Sequence, residues 1–187
     1  MALILVRHTR PLDAAGRCYG RSDLALDDGF EAHAARLVDA LPAVARVVTS
    51  PLSRCARLAG VIAGARGLPL TTDPRLTEID FGAWEGVEWD AIPRAALDAW
   101  AADLLHARPH GGESVAMLRD RAFAAFAHWG AQGAGQGAGQ GGDSLLVTHH
   151  GVIKAARFLT EGAAAWSSNL DFGGWITLSD KVVPDAS

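Results

Sequence analysis

Short apolar runs alternate with amphipathic helical patterns along the whole 187-residue chain, and this alternation is the feature that most restricts its fold. Five runs have the length and composition of strands, at residues 3–6, 46–49, 70–72, 145–148 and 175–178. Strands that alternate with helices pack as a mostly parallel sheet with helices on both faces. We therefore predict an α/β fold with three layers, α/β/α, around a mostly parallel central sheet.

The helical segments carry start signals. Apolar residues repeat at helical spacing over 30–41, after an acidic variant of the capping box formed by Asp28 and Glu31. Ser50, followed by a proline, predicts the cap of a second helix, and Ser114 predicts the start of another.

Residues 130–142 read GAQGAGQGAGQGG and offer no apolar face that a helix or strand could bury. We expect a flexible surface loop that joins a helix to the strand before His149. Because that strand is needed to complete the sheet, the loop is not a domain boundary, and residues 1–187 are expected to form a single domain.

Composition excludes several classes of protein. A hydrophobic content of 49% suits one compact core, and a net charge of −4 argues against a nucleic-acid partner. No apolar run approaches the roughly 20 residues that span a bilayer, and the first residues lack the cationic start of a signal peptide. Cys18 and Cys55 are too few for a disulfide framework and indicate reduced thiols. We expect a cytoplasmic protein without membrane or nucleic-acid partners, either monomeric or homodimeric.

Cationic and imidazole side chains fall where predicted strands end. Arg7 and His8 follow the first strand, His149 follows the fourth, and Arg54 lies in the first turn of the helix after the second. In open α/β sheets ligands bind beyond the carboxyl ends of the strands, where helix N-termini favour anions. Two arginines could hold a phosphate through paired charge-assisted hydrogen bonds. The sequence thus predicts a phosphate site, although the chain has no GxxxxGK[ST] loop for a nucleotide.

Five sequence motifs resemble those of the histidine phosphatase superfamily, which has the phosphoglycerate mutase-like fold. They occur in family order and together extend over most of the chain: LVRH at 5–8, TSPLSR at 49–54, LTEIDFGAWEG at 76–86, GGES at 111–114 and VTH at 147–149. The resemblance implies a phosphomonoester substrate, no cofactor and no metal. It makes His8 the nucleophile that becomes phosphohistidine, Glu78 the proton donor to the leaving group, and Arg7, Arg54 and His149 the phosphate pocket.

This assignment agrees with the chemistry of phosphoryl transfer. The reaction needs an in-line nucleophile and fixed positive donors around the phosphoryl oxygens. A covalent intermediate on His8 divides one difficult hydrolysis into two easier steps. Glu78 would protonate the departing alkoxide and then activate water.

Two of these assignments have rivals nearby. Asp80, Glu85 and Glu88 could each replace Glu78 as the acid or be ordinary surface carboxylates, and Glu113 is the next candidate. His150 adjoins His149, but only His149 keeps the family spacing to Lys154, which leaves His150 where a small residue is usual.

The chain also departs from the mutase pattern, because Thr9 replaces a common glycine and Ala14 a frequent asparagine. The stretch GRCYGRSDLAL at 16–26 resembles the subgroup of α-ribazole phosphatases, which remove the 5′-phosphate of α-ribazole phosphate during assembly of the cobalamin lower ligand. The substrate-binding residues implied by the resemblance are the phosphate pocket with Thr9, Tyr19, Gly20, Arg21 and Trp84.

Three functions from different classes follow. The first is a metal-independent phosphatase for α-ribazole 5′-phosphate, and the second is a phosphoglycerate mutase or a broad small-molecule phosphatase. The third is a non-catalytic protein that binds phosphorylated ligands, although such a protein would be expected to have lost His8 or Glu78. A small cap segment, residues 81–112, is too short for the additional chain of a typical mutase and favours hydrolysis. Its tryptophans, Trp84, Trp89 and Trp100, are expected either to fill a small core or to stack on a flat ligand.

Overall fold

The structure, a computed structural model, describes residues 1–133, 142–179 and 181–183. Its centre is a five-stranded sheet in the order β3-β2-β4-β1-β5. All neighbours pair in parallel except β1 and β5, which are antiparallel. The strands are β1 (Ala2–Arg7), β2 (Arg46–Thr49), β3 (Leu70–Thr72), β4 (Ser144–Thr148) and β5 (Trp175–Ser179).

Four of the five α-helices cover the two faces of this sheet. One face packs against α1 (Phe30–Ala40) and α2 (Ser53–Arg66), and the other against α4 (Val115–Gly133) and α5 (His150–Glu161). Alternate residues of β1 join opposite cores, since Leu3 and Leu5 lie in one and Ile4 and Val6 in the other. The predicted three-layer α/β/α fold is confirmed.

The fifth helix, α3 (Arg94–Ala102), belongs to the cap segment. Three buried residues, Cys18, Trp84 and Ile92, form a small separate core there. Trp84 therefore packs inside the cap, with 6% of its surface exposed.

The pairing of β1 with β4 brings the two predicted site histidines together. Arg7 lies opposite Thr148 in the parallel register, so His8 and His149 are the next residues on two adjacent strands. The His8 amide donates a hydrogen bond to the Thr148 carbonyl at 3.0 Å and continues the ladder by one step. His8 and His149, which are 141 positions apart in sequence, thus lie side by side at the carboxyl edge of the sheet.

Two of the predicted helix starts are wrong in detail. The residue before α1 is Gly29, which makes no side-chain cap, and Asp27 rather than Asp28 accepts from its amide at 3.1 Å. The second helix begins at Ser53, three residues after Ser50, and its first amide donates to Asp23 at 2.9 Å. A side chain distant in sequence supplies this cap, so local pattern could not identify it.

The third predicted start is correct, and one loop boundary is not. Ser114 accepts a hydrogen bond from the Met117 amide at 3.2 Å at the start of α4. Because α4 continues to Gly133, the first residues of the predicted loop 130–142 are helical. Residues 134–141 of that loop lie outside the described residues. Within the described ranges, no helix is both long enough and apolar enough to cross a membrane.

Candidate active site

His8 lies just past the end of β1, with 2% of its surface exposed, and lines a cavity. Its Nδ1 atom lies 2.6 Å from the carbonyl oxygen of Thr9. A carbonyl oxygen can only accept, so Nδ1 carries the proton and Nε2 keeps the lone pair. The backbone therefore selects the tautomer that can attack phosphorus through Nε2.

His149 lies beside His8, with ring centroids 5.1 Å apart, and is completely buried. Its Nε2 atom lies 2.8 Å from the hydroxyl of Ser50 and 3.4 Å from the thiol sulfur of Cys55. Ser50, predicted as a helix cap, accepts a long hydrogen bond from the Leu52 amide at 3.4 Å, and its hydroxyl also holds a site histidine. Both Cys18 and Cys55 are free thiols and buried, and burial strongly raises the pKa of Cys55, so its thiol stays neutral.

Arg54 is fully buried in the first turn of α2, as predicted, and is held by two backbone carbonyls. One terminal nitrogen donates to the Ser22 carbonyl at 2.7 Å, and the other to the Gly20 carbonyl at 2.6 Å. These bonds fix the plane of the guanidinium beside His8 and leave its charge without a carboxylate partner among the described residues.

The loop that holds Arg54 is itself held by Glu85. The Glu85 carboxylate accepts from the amides of Gly20, Arg21 and Ser22 at 2.9 to 3.1 Å, and also from the Ser22 hydroxyl. Although burial alone would raise the pKa of Glu85, these hydrogen bonds lower it, so the carboxylate is ionised. Sequence reasoning weighed Glu85 only as a rival acid or surface residue and missed this positioning role.

Arg7 lies on the other side of His8 and stacks on Phe172, with 3.9 Å from the guanidinium carbon to the ring centroid. It donates a hydrogen bond to the carbonyl of Leu170 and another contact joins it to the hydroxyl of Tyr19. Tyr19 lines the same cavity and also lies under Arg54, 5.5 Å from its guanidinium carbon to the ring centroid. Tyr19 therefore contacts both arginines of the predicted phosphate pocket.

Glu78 lines the cavity and is nearly buried. Its two oxygens accept from the amides of Ile79 at 2.9 Å and Gly151 at 3.1 Å, and the second of these lies in the first turn of α5. The carboxyl group is thus fixed at the cavity wall that contains His8.

The rival acid Glu113 is placed differently. Its carboxylate makes a two-pronged ion pair with Arg121, at 2.7 and 2.8 Å, and it does not line the cavity. Arg121 also donates to the carbonyl of Glu78 at 3.1 Å. Glu113 is therefore part of the support beneath Glu78, and the geometry favours Glu78 as the acid.

A cavity of about 390 Å³ extends from His8 toward the cap segment. One wall, which we call the aromatic wall, consists of Phe81, Trp89 and Trp100. Phe81 packs edge to face on both tryptophans, with centroid distances of 5.8 and 5.9 Å. Another part of the lining, which we call the α5 wall, carries His150 and Lys154.

Six residues predicted to bind substrate do not line this cavity themselves: Arg54, His149, Thr9, Gly20, Arg21 and Trp84. Trp84 is in the cap core, and Arg21 is half-exposed and faces Asp80 at 3.7 Å. Gly20 contributes its carbonyl to Arg54, and a β-carbon there would lie 1.8 Å from the Ile79 carbonyl oxygen. Thr9 is fully buried and contributes its carbonyl to His8. For Trp84 the structure corrects the prediction, since Trp89 and Trp100 form the wall instead.

Burial keeps the histidines of the site neutral. It lowers the pKa of His8 to about 3, with a further decrease from Arg54. It also lowers the pKa of His149 well below its ordinary value, with help from His8 and Arg54. A neutral His8 is the form that a nucleophile requires.

Several buried polar atoms around His8 have no hydrogen-bond partner within the described part of the chain. They are Nε of Arg7, Oγ1 of Thr9, Nε of Arg54 and Nε2 of His150. A buried polar atom without a hydrogen bond costs free energy, because it has lost its contact with water. A ligand with several oxygens would form the missing hydrogen bonds. No group of three or more His, Cys, Asp or Glu among the described residues has the geometry to hold a metal. The residues gathered here suit a phosphate ester.

A buried neutral histidine with two arginines and a second histidine nearby, at the carboxyl edge of a three-layer fold, is an arrangement suited to phosphoryl transfer. A family model of the histidine phosphatase superfamily, branch 1, matches residues 3–172. The chain belongs to this superfamily and is a phosphatase of that class.

Named relatives differ in substrate. A glucosyl-3-phosphoglycerate phosphatase of Mycolicibacterium vanbaalenii is 35% identical over 166 residues, which cover 82% of this chain and 71% of the relative. A probable phosphoglycerate mutase GpmB of Salmonella newport is 30% identical over 174 residues, with coverages of 89% and 78%.

Solved structures that are similar to this chain also include phosphatases with different substrates. A mycobacterial glucosyl-3-phosphoglycerate phosphatase superposes with a TM-score of 0.81 at 25% identity, covering 94% of this chain and 88% of the other. An α-ribazole phosphatase from Shigella flexneri superposes with a TM-score of 0.79 at 27% identity, with coverages of 95% and 89%.

Proposed function

We propose that this protein is a metal-independent phosphomonoesterase that acts through a phosphohistidine on His8, with α-ribazole 5′-phosphate as its substrate. One observation carries the proposal: His8 stands between a cluster of fixed positive donors and an aromatic wall. The donors suit a phosphoryl group, and the wall suits a flat, apolar leaving group.

In the first step the lone pair on Nε2 of His8 attacks phosphorus, and the bond to the leaving oxygen breaks. Arg7 and Arg54 stabilise the charge on the phosphoryl oxygens. Glu78 donates a proton to the leaving oxygen and then accepts one from the water that hydrolyses the phosphohistidine. His149, held by Ser50, contributes a neutral hydrogen-bonding group on the same side.

The aromatic wall supports the choice of substrate. α-Ribazole phosphate places a benzimidazole beyond its ribose, and Trp89 is 36% exposed, so an indole face is available for stacking. Phosphoglycerate offers only charge and hydroxyl groups to the same wall.

A comparison of matched substrates tests this proposal. Ribose 5-phosphate lacks only the base of α-ribazole 5′-phosphate, and a stacked base contributes about 1 to 3 kcal/mol, so we expect kcat/KM for α-ribazole 5′-phosphate to be about 10- to 100-fold higher. Exhaustive chelation should leave both rates unchanged. Equal kcat/KM for the two esters would contradict the proposed substrate, and loss of activity after chelation would contradict the proposed chemistry.

A second candidate substrate is a phosphorylated glycerate, such as the ester named for the mycobacterial relatives. Lys154 favours it, because this half-buried ammonium lines the cavity and makes no ion pair with a carboxylate in the described residues. The same assay with glucosyl-3-phosphoglycerate and 3-phosphoglycerate distinguishes the two candidates.

A further inference from the structure

The α5 wall presents two polar groups that the reaction itself does not use. His150 and Lys154 are four residues apart on α5, so they lie on the same face of the helix, and both line the cavity. His8, Arg7, Arg54 and Glu78 already account for the nucleophile, the phosphoryl donors and the acid. The α5 wall therefore has hydrogen-bonding capacity in excess of what phosphoryl transfer needs.

Lys154 is held in position and still has free protons. Its Nζ atom donates to the carbonyl of Trp166 at 2.8 Å, and an ammonium group has three protons to donate. Burial lowers its pKa, while Glu78 raises it. A desolvated cation with unused donors and no carboxylate partner in the described residues gains by contact with an acceptor oxygen.

His150 adds a neutral group next to this cation. Its Nε2 atom is buried and has no partner among the described residues, and the positive charges of Arg7 and Lys154 act on its ring. Burial, together with Arg7 and Lys154, lowers its pKa to about 4. A neutral imidazole can donate or accept one hydrogen bond, so it complements an oxygen that Lys154 also contacts.

We propose that Lys154 and His150 form a leaving-group subsite that binds an acceptor oxygen of the substrate, in the same cavity as the aromatic wall. The inference rests on the proposed phosphatase function and concerns the leaving group, which phosphoryl transfer alone does not define. An acceptor oxygen could come from a sugar hydroxyl or from a carboxylate, and both present the same chemistry to Lys154. The substrate class is therefore a phosphomonoester with one flat or apolar face and an oxygen-bearing edge.

Two variants test the subsite against two pairs of substrates. Lys154→Met keeps the length of the side chain and removes its charge, and His150→Gly removes the imidazole. The pairs are ribose 5-phosphate with 2-deoxyribose 5-phosphate, and 3-phosphoglycerate with glycerol 3-phosphate. Phenyl phosphate, which has no acceptor oxygen beyond the ester, reports the phosphoryl chemistry alone.

We expect Lys154→Met to lower kcat/KM by about 10- to 100-fold for the ester whose oxygen the subsite binds, as is typical for loss of one charged hydrogen bond. The loss on phenyl phosphate should be at least ten times smaller. His150→Gly should cause a loss of about 2- to 10-fold in the same direction. In Lys154→Met, the ratio of kcat/KM for ribose 5-phosphate to kcat/KM for 2-deoxyribose 5-phosphate should decrease toward one if the bound oxygen is a hydroxyl. If it is a carboxylate, the ratio for 3-phosphoglycerate to glycerol 3-phosphate should decrease toward one.

Arg157 supplies the matched control. It lies on the same helix, donates to the carbonyl of Asn169 at 3.3 Å, and does not line the cavity. Arg157→Met therefore removes a positive charge that acts on His150 only at a distance, takes no hydrogen-bond donor from the subsite, and should leave both substrate ratios unchanged. Two results would contradict the subsite. One is an equal decrease in kcat/KM of Lys154→Met on phenyl phosphate and on all four esters; the other is that the kcat/KM ratios of both substrate pairs stay the same as in the wild type. A wild type that hydrolyses no ester, phenyl phosphate included, would instead refute the proposed function.

Discussion

The Nδ1 atom of His8 lies 2.6 Å from the carbonyl oxygen of Thr9, the next residue in the chain. A side-chain contact would depend on a second residue that mutation could remove, whereas this acceptor belongs to the backbone. Thr9 itself is completely buried, and its carbonyl is fixed by the end of β1. The chain thus presets the nucleophilic tautomer without a dedicated carboxylate partner.

The first prediction concerns the covalent intermediate. His8→Ala should abolish turnover because no other group at the site has the tautomer and position to attack phosphorus. Rapid quenching of the wild type with labelled substrate should give an acid-labile, base-stable label on the protein. Arg54→Ala should retain the label but lower kcat by roughly 10²- to 10³-fold, the scale for loss of one transition-state donor. Normal turnover by His8→Ala would end the proposal.

The second prediction concerns the acid. If Glu78 protonates the leaving group, its loss must slow poor leaving groups most. Glu78→Gln should therefore reduce kcat on an alkyl phosphate far more than on nitrophenyl phosphate. Glu113→Gln is the control, because its carboxylate pairs with Arg121 outside the cavity and should affect both substrates alike through stability. Equal losses on the two substrates in Glu78→Gln would assign the proton to another group.

The third prediction separates two tryptophans of the cap segment. Trp84→Ala should lower the free energy of unfolding by about 3 to 5 kcal/mol, since Trp84 fills the cap core. Trp89→Ala should change the stability less, because Trp89 is more exposed, but should reduce kcat/KM for α-ribazole 5′-phosphate about 10- to 100-fold. Urea unfolding and steady-state kinetics measure the two effects. A selective kinetic loss in Trp84→Ala, with stability intact, would reverse the assignment.

The fourth prediction concerns pH. His8 has a pKa of about 3 in the folded protein against an ordinary 6.5, and that of His149 is also well below 6.5. Between these pH values the two histidines are protonated in the unfolded chain and neutral in the folded chain. Their contribution to the free energy of unfolding is therefore complete above pH 6.5 and is lost as pH falls toward 3. Each of the two buried histidines should add a slope of about 1.4 kcal/mol per pH unit within this window.

Urea unfolding between pH 7 and pH 5 measures this slope. His8→Asn should reduce the slope of the free energy of unfolding against pH by the contribution of one histidine. His106→Asn is the surface control, because His106 is exposed and does not line the cavity. A slope that is the same in all three proteins would contradict the buried neutral state of His8.

Sequence alone predicted the parts of the fold and site that depend on short motifs. All five strands appear at the expected positions, and the placement of His8 and His149 after two strands follows from the pattern of strand and helix. The parallel pairing of β1 with β4 then brings them together, which is a property of the topology rather than of either segment.

The features that sequence missed depend on contacts across long separations. Glu85 binds the backbone of residues 63 to 65 positions earlier, and Asp23 caps a helix 30 positions later. Periodicity says nothing about such pairs. It also could not separate Trp84 from Trp89, because which indole faces the core is decided by the path of the cap and not by its composition.

Glu85 also limits how enzymes of this design can diverge. It belongs to the segment that shapes the leaving-group side of the cavity, yet its carboxylate organises the loop whose carbonyls fix Arg54. Replacing that segment to accept a new substrate would remove the support of the phosphate pocket, unless the new segment supplied a carboxylate at the same point. The segment that shapes substrate preference thus also supports the phosphate pocket. Substitutions around Glu85 can change specificity, whereas substitution of Glu85 itself would also disturb Arg54.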